Sequence, residues 1–330
     1  MRFVFRIFLL SSALLGITIA LFFGWATHAL SMPGASEFRI LPGSTVRQAA
    51  LQIRQSGIAL EPQLFTLLAR LKGQASAIRA GSYAVEPSTT PIELLRMLVD
   101  GRVVQAEITF PEGWTFRQIR ARLDAHPDLT HDTRDWSEAR LLAALGLDVP
   151  SLEGQLFPDT YHVDKQSTDL ELLRRAQRAM ASRLASAWAE RAAALPYRTP
   201  QEALIMASIV EKETGQAADR NLVAAVFVNR LRRGMLLQTD PTVIYGLGSQ
   251  FDGNLRKRDL QTDTPYNTYT RPGLPPTPIA MPGAAALQAA LNPAHSDALY
   301  FVARGDGSSQ FSRTLNEHNH AVNTYQRGKK

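Results

Sequence analysis

The sequence predicts an α+β protein: an N-terminal transmembrane helix, small α/β modules, and a helix-rich C-terminal domain with a small sheet. Three observations carry this reading. Ile7 to Thr27 is uncharged and mostly apolar. A Pro/Gly turn followed by a Ser- or Thr-capped amphipathic helix recurs between Glu37 and Leu123. Beyond residue 166, helical patterns alternate with Pro/Gly-rich loops and close on a hairpin signal. The expected segments are 1–30 (tip and membrane anchor), 31–125 (modules), 126–165 (connection) and 166–330 (C-terminal domain).

The N-terminal stretch holds about 20 residues, enough to cross a hydrocarbon core of about 30 Å as a helix. Arg2 and Arg6 precede or open it, and Trp25 is placed as an interfacial anchor. Positive charge stays on the cytoplasmic side, so the bulk of the chain is expected outside the membrane that this helix crosses. The rival reading is a cleaved signal peptide, with Ala29-Leu30-Ser31 as a poor small-x-small site.

In the module region, LPGSTVRQAALQI begins at Leu41 and FPEGWTFRQIRARL at Phe110, with AGSYAVEPSTTPIELLRMLVDG between them. Each couples a short strand and a Pro/Gly turn to a helix capped by Ser or Thr. Such repetition favours small modules over one large sheet. These units resemble LysM-like modules, which implies binding of glycans containing N-acetylglucosamine. A spacer is the alternative.

The C-terminal domain is expected to open on a long helix capped by Ser167 or Thr168 and running to about Arg191. Its apolar positions from Leu172 to Trp188 follow core spacing. In the next helix, Thr199 is an N-cap, Pro200 fits the first turn, and Glu202 completes a capping box. Gly215 is a natural stop. Between them, ALIMASIV is apolar on nearly every face, so the helix should be buried. Glu213 falls in line with Val210, Ile209 and Met206, whereas Glu211 falls in line with Ser208, Ala207 and Leu204. A carboxyl against bulky apolar groups resists ionisation, as a general acid near neutral pH must. The bland alternative is a structural carboxylate at a helix end.

Asp219 starts a further helix ended by Gly234, and LLQTDPTVIYGLG follows. In TPYNTYTRPGLPPTPIAMPG, prolines stiffen a loop carrying Tyr266, Asn267 and Tyr269. Ring faces and amides on a rigid loop suit a sugar polymer. ALYFVARGDGSSQFSRTLNEHNHAV reads as a strand, a turn, a second strand and a final helix.

Composition narrows the chemistry. The chain has no cysteine, which removes disulfides, thiolate metal sites and cysteine nucleophiles. His318 and His320 point to different faces of a helix, so no metal or other cofactor is expected. Net charge is +6, much of it arginine on helix faces such as ELLRRAQRAMASRL, read as solvated, with an anionic membrane surface or anionic polymer as the alternatives. With no zinc finger, basic zipper or RNA-binding signature, no nucleic-acid partner is expected. Ser208 and Lys212 lie mid-helix at the wrong spacing for the common Ser-x-x-Lys acylation signature.

Five motifs in order carry a resemblance. They are EGQLFPDTY (Glu153 to Tyr161), ASIVEKET (Ala207 to Thr214), NRLRRGMLLQTDPTVIYG (Asn229 to Gly246), YNTYTRPGLPPTPIAMPG (Tyr266 to Gly283) and YFVARGDGSSQF (Tyr300 to Phe311). The chain resembles the MltG (YceG-like) family of endolytic murein transglycosylases over nearly its whole length. The resemblance places the catalytic glutamate on Glu213. It implies a lyase acting on peptidoglycan glycan strands, with cell-wall synthases as possible partners. It also implies cleavage of the N-acetylmuramic acid to N-acetylglucosamine bond, leaving a 1,6-anhydro end. Gln238, Asp240, Tyr245, Tyr266 and Asn267 are the expected substrate contacts, by residue type and motif. A membrane-tethered glycan-binding scaffold is the non-enzyme alternative; it would not need Glu213.

Overall fold

The computed structural model describes residues 2–165 and 167–327. The chain forms two compact units. The first runs up to residue 107 and includes 128–130 and the segment around 162–167. The second holds 108–127, 131–161 and the chain from 168 onward. The elements are helices among small two-stranded sheets, pairing β1 with β2, β3 with β4 and β5 with β6.

The first unit contains α1 (Arg2–Thr27), β1 (Ser36–Ile40), α2 (Val46–Gln55), α3 (Pro62–Leu71), β2 (Gly81–Val85) and α4 (Pro91–Asp100). Strands β1 and β2 are antiparallel, with Phe38 opposite Tyr83 and their rings stacked at 5.6 Å. Thr45 with Gln48, and Thr90 with Glu93, form capping boxes that start α2 and α4. The amphipathic helices turn Ile53, Phe65, Leu94 and Leu98 onto the sheet. Helix α1 is long and apolar enough to cross a membrane. It enters the module without a slack linker. Ala26 and Leu30 are buried in the module core, and Leu30 N donates to Thr89 O at 2.9 Å.

Strands β3 (Gln105–Thr109) and β4 (Thr160–Asp164) cross the division between the units. In the second unit come α5 (Phe116–Asp124), α6 (Glu138–Leu145), α7 (Asp169–Ala189), α8 (Pro200–Glu213) and α9 (Ala217–Arg232). They are followed by α10 (Asp240–Leu247), α11 (Lys257–Gln261), α12 (Ala284–Leu291), β5 (Tyr300–Ala303), β6 (Ser309–Ser312) and α13 (Leu315–Val322). Helix α5 belongs here although its sequence echoes α2, because Phe110, Ile119 and Leu123 are buried on this side of the division.

Helix α8 is the core of the second unit. Every residue from Ala203 to Val210 is buried. Helices α7, α9, α10 and α12 pack on it, and the alanines of α12 allow close approach. The hydroxyl of Ser208 donates to Ile205 O at 2.7 Å and accepts from Ile279 N at 3.0 Å. It is a structural tie to the proline-rich loop. The start of α8 differs in one detail from the predicted box. Thr199 accepts from Glu202 N, but the Glu202 carboxylate takes Arg198 N instead of the cap's own N–H. At the far end Thr214 is extended, with φ −144°, so the helix stops without a left-handed glycine. That sharp exit leaves Glu213 as the last helical side chain.

Candidate active site

Glu213 is partly exposed to a cleft of about 610 Å³. Arg230, Gln238, Asp240, Tyr269 and Tyr300 also line this cleft. The Thr239 hydroxyl donates to Glu213 Oε1. Thr239 is itself buried and fixed on three sides. Its N–H donates to Thr268 Oγ1 at 3.1 Å, its carbonyl accepts from Thr242 Oγ1 at 2.8 Å, and Thr242 and Thr268 share a hydroxyl bond at 2.9 Å. The turn before it requires Gln238 at φ +51°, unusual for a residue with a side chain. Its N–H donates to Thr268 O at 3.1 Å, which holds that conformation. Local strain of this kind survives only where the surroundings impose it.

Burial raises the Glu213 pKa above the ordinary carboxylate value. The Thr239 hydrogen bond opposes this, Asp240 adds to it, and Arg230 opposes it. Arg230 does not neutralise the carboxyl as a direct partner. Its guanidinium donates to the carbonyls of Leu299 at 2.7 Å and Leu237 at 2.9 Å, and sits 5.1 Å from the Tyr300 ring centre. Asp240 accepts from the Tyr269 hydroxyl at 2.5 Å. His318 stacks on Tyr300 at 5.2 Å, and burial, then Arg230, lowers its pKa. The cleft thus sets a carboxyl with a raised pKa, that of Glu213, among fixed donors and ring faces. Glu211 is also raised by burial, but it accepts from Gly283 N at 3.0 Å and does not line this cleft.

A second cleft, of about 680 Å³, surrounds Glu153. Its carboxyl accepts from Phe116 N at 3.0 Å and from the Tyr245 hydroxyl at 3.1 Å. Burial outweighs both bonds and pushes its pKa up to about 7. The rings of Tyr245 and Tyr266 meet edge-on at 4.9 Å, and Tyr266 bonds Thr277 at 2.9 Å. Helix α10 serves both clefts, with Asp240 in the first and Tyr245 in the second.

Glu213, Gln238 and Asp240 therefore share one cleft, and Tyr245 and Tyr266 share another. Asn267 lines neither. It is fully buried, and its amide donates to the carbonyls of Asp259 at 3.2 Å, Leu260 at 3.1 Å and Thr262 at 2.7 Å. Its Oδ1 accepts from Tyr269 N at 2.9 Å. It folds the loop that presents Tyr266 and Tyr269. Thr239, Arg230, Tyr300 and Glu153 were not singled out by sequence reasoning, although all four sit inside the quoted motifs. Among the described residues, no cluster of His, Asp and Glu side chains is arranged to hold a metal ion.

Residues 38–324, spanning both units and every motif above, match the YceG-like family. The chain belongs to this family. A Bacillus subtilis (strain 168) relative named endolytic murein transglycosylase is 32% identical over 300 residues, 86% of this chain and 82% of that protein. A relative of the same name from Streptococcus pneumoniae (strain D39) is 30% identical over 313 residues. The match takes in 85% of this chain but 56% of the pneumococcal protein. The crystal structure of a YceG-like protein from Listeria monocytogenes is similar at TM-score 0.54 and 30% identity, over 87% of this chain and 98% of that one. The YceG-like match covers both Glu213 and Glu153.

Proposed function

We propose that this protein is an endolytic murein transglycosylase, a lyase, with Glu213 as its general acid and then its base. The observation that carries the proposal is the setting of Glu213: a partly buried, pKa-raised carboxyl held by a fixed hydroxyl at an open cleft. In the first step Glu213 gives its proton to the glycosidic oxygen as the bond from C1 of N-acetylmuramic acid breaks. The C6 hydroxyl of the same sugar then bonds to C1, and its proton passes to the Glu213 carboxylate. The product is a 1,6-anhydro ring, no water is consumed, and Glu213 returns to its starting state. Because the nucleophile belongs to the substrate, the second carboxylate of ordinary glycosidases is unnecessary. Asp240, tied to Tyr269, fits a role in binding and in keeping Glu213 protonated.

In this reading α1 anchors the chain in the inner membrane, with both units in the periplasm. The first unit acts as a LysM-like glycan-binding module. The substrate is nascent glycan near the membrane, its cleavage limits strand length, and cell-wall synthases are candidate partners. Size separation of uncrosslinked strands digested by the full chain in detergent tests the endolytic mode. Early loss of long strands to mid-length fragments is expected. Release of disaccharide units alone would overturn the endolytic mode, and intact strands would favour the scaffold.

A further inference from the structure

Helix α3 has two apolar faces. Phe65, Leu68 and Ala69 are buried in the first unit's core. Leu67 and Leu71 point the other way, 45% and 67% exposed, and Leu64 is partly exposed beside them. The spacing of 64, 67 and 71 puts the three on one stripe of the helix. A helix meant only to cover a soluble core would end this stripe in polar residues. The stripe instead faces a groove of about 400 Å³ whose other wall is α1, through Ile19, Phe22 and Phe23.

This continuity identifies the occupant. The Phe5–Thr27 stretch of α1 is the part long and apolar enough to lie in a bilayer, and none of its most apolar window is buried by protein. The leucine stripe of α3 is continuous with that surface. Arg70 and Lys72 flank Leu71 and are exposed, placed for their charged ends to reach anionic headgroups. Ala26 and Leu30 are buried in the same core as Phe65, Leu68 and Ala69 of α3, so both helices belong to one packed unit.

We propose that α3 lies in the outer membrane–water interface of the bilayer that α1 crosses, with Leu64, Leu67 and Leu71 against lipid acyl chains. The inference rests on reading α1 as membrane-spanning. It makes the first unit a membrane-surface module, not one that swings on a tether.

The chain has no cysteine, so a label can be placed at one position only. The full chain carrying Leu67→Cys, Leu71→Cys or Leu14→Cys is labelled with bimane. Each is reconstituted into phosphatidylethanolamine–phosphatidylglycerol vesicles, with or without bromines high on the acyl chains. The Leu14→Cys protein is also measured with bromines near the chain ends. Leu67 and Leu71 lie outside the core, so these variants keep the fold. Loss of fluorescence at 67 and 71 in brominated lipid, with shielding from aqueous iodide, is the expected result. Iodide access and no bromolipid quenching at 67 and 71, with Leu14→Cys quenched, would overturn the proposal while leaving α1 in the membrane. Shielding without bromolipid quenching would mean that a second copy or another protein covers the stripe, which also overturns it. Absence of quenching at Leu14→Cys would defeat the membrane reading of α1 itself.

Discussion

The hydroxyl of Thr239 donates to the carboxylate of Glu213, reaching the end of α8 from the residue before α10. The pairing links two helix ends 26 residues apart in sequence and tunes the group that the proposed chemistry depends on. A donor to the carboxylate stabilises the charged form, so it holds the Glu213 pKa lower than burial alone would.

Thr239→Val removes that donor at nearly constant volume. The Glu213 pKa is then expected to rise further. A general acid works in its protonated form, so kcat/KM falls as pH rises through its pKa. The falling limb of the pH profile should move to higher pH in Thr239→Val and return in Thr239→Ser. An unchanged profile in the valine variant would mean that Thr239 does not tune Glu213.

Glu153 makes stability depend on pH. Its folded pKa is pushed up to about 7, above the ordinary value of 4.5. The folded state therefore binds the proton more tightly than the unfolded chain. The stabilisation is fully present below about pH 4.5 and is lost as pH rises through about 7, at up to about 1.4 kcal/mol per unit. The total is on the order of 3 kcal/mol. Glu153→Gln stays neutral and keeps an acceptor for Phe116 N–H. Its unfolding free energy should fall less than that of the wild type between pH 5 and pH 8. Parallel denaturant curves for the two proteins would contradict the assignment.

Asn267 should matter through folding. Asn267→Ala leaves the carbonyls of Asp259, Leu260 and Thr262 without their side-chain donor. Leaving a buried polar group unmade costs about 1–3 kcal/mol. A fall in Tm of several degrees is expected, with Asn267→Asp equally affected because a carboxylate cannot donate. Unchanged Tm with a raised KM would instead make Asn267 a direct substrate contact.

These residues also mark what the sequence could disclose. The α8 boundaries and the inward register of Glu213 follow from a Thr-Pro start and an unbroken apolar run, both local signals. The hairpin of β5 and β6 and the capped starts of α2 and α4 were legible for the same reason. Thr239 and Glu153 were not singled out, because their significance lies in contacts 26 and 92 residues away in sequence. Asn267 was read as a ligand group from its type and its loop. An amide on a proline-rich loop can serve the loop's own carbonyls equally well, and the bonds to Asp259, Leu260 and Thr262 have no local sequence signature. The membership of α5 in the second unit was hidden by its likeness to α2, since the shared turn-and-cap pattern encodes a local shape and not a packing partner.

The central claim is most directly tested by mass spectrometry of glycan strands incubated with the full chain and with Glu213→Gln. Ends carrying 1,6-anhydro-muramic acid from the wild type, and none from the variant while it still binds strands, are expected. Reducing ends would contradict the lyase mechanism and direct attention to Asp240 as a second carboxylate. Anhydro ends from Glu213→Gln at the wild-type rate would contradict the role assigned to Glu213.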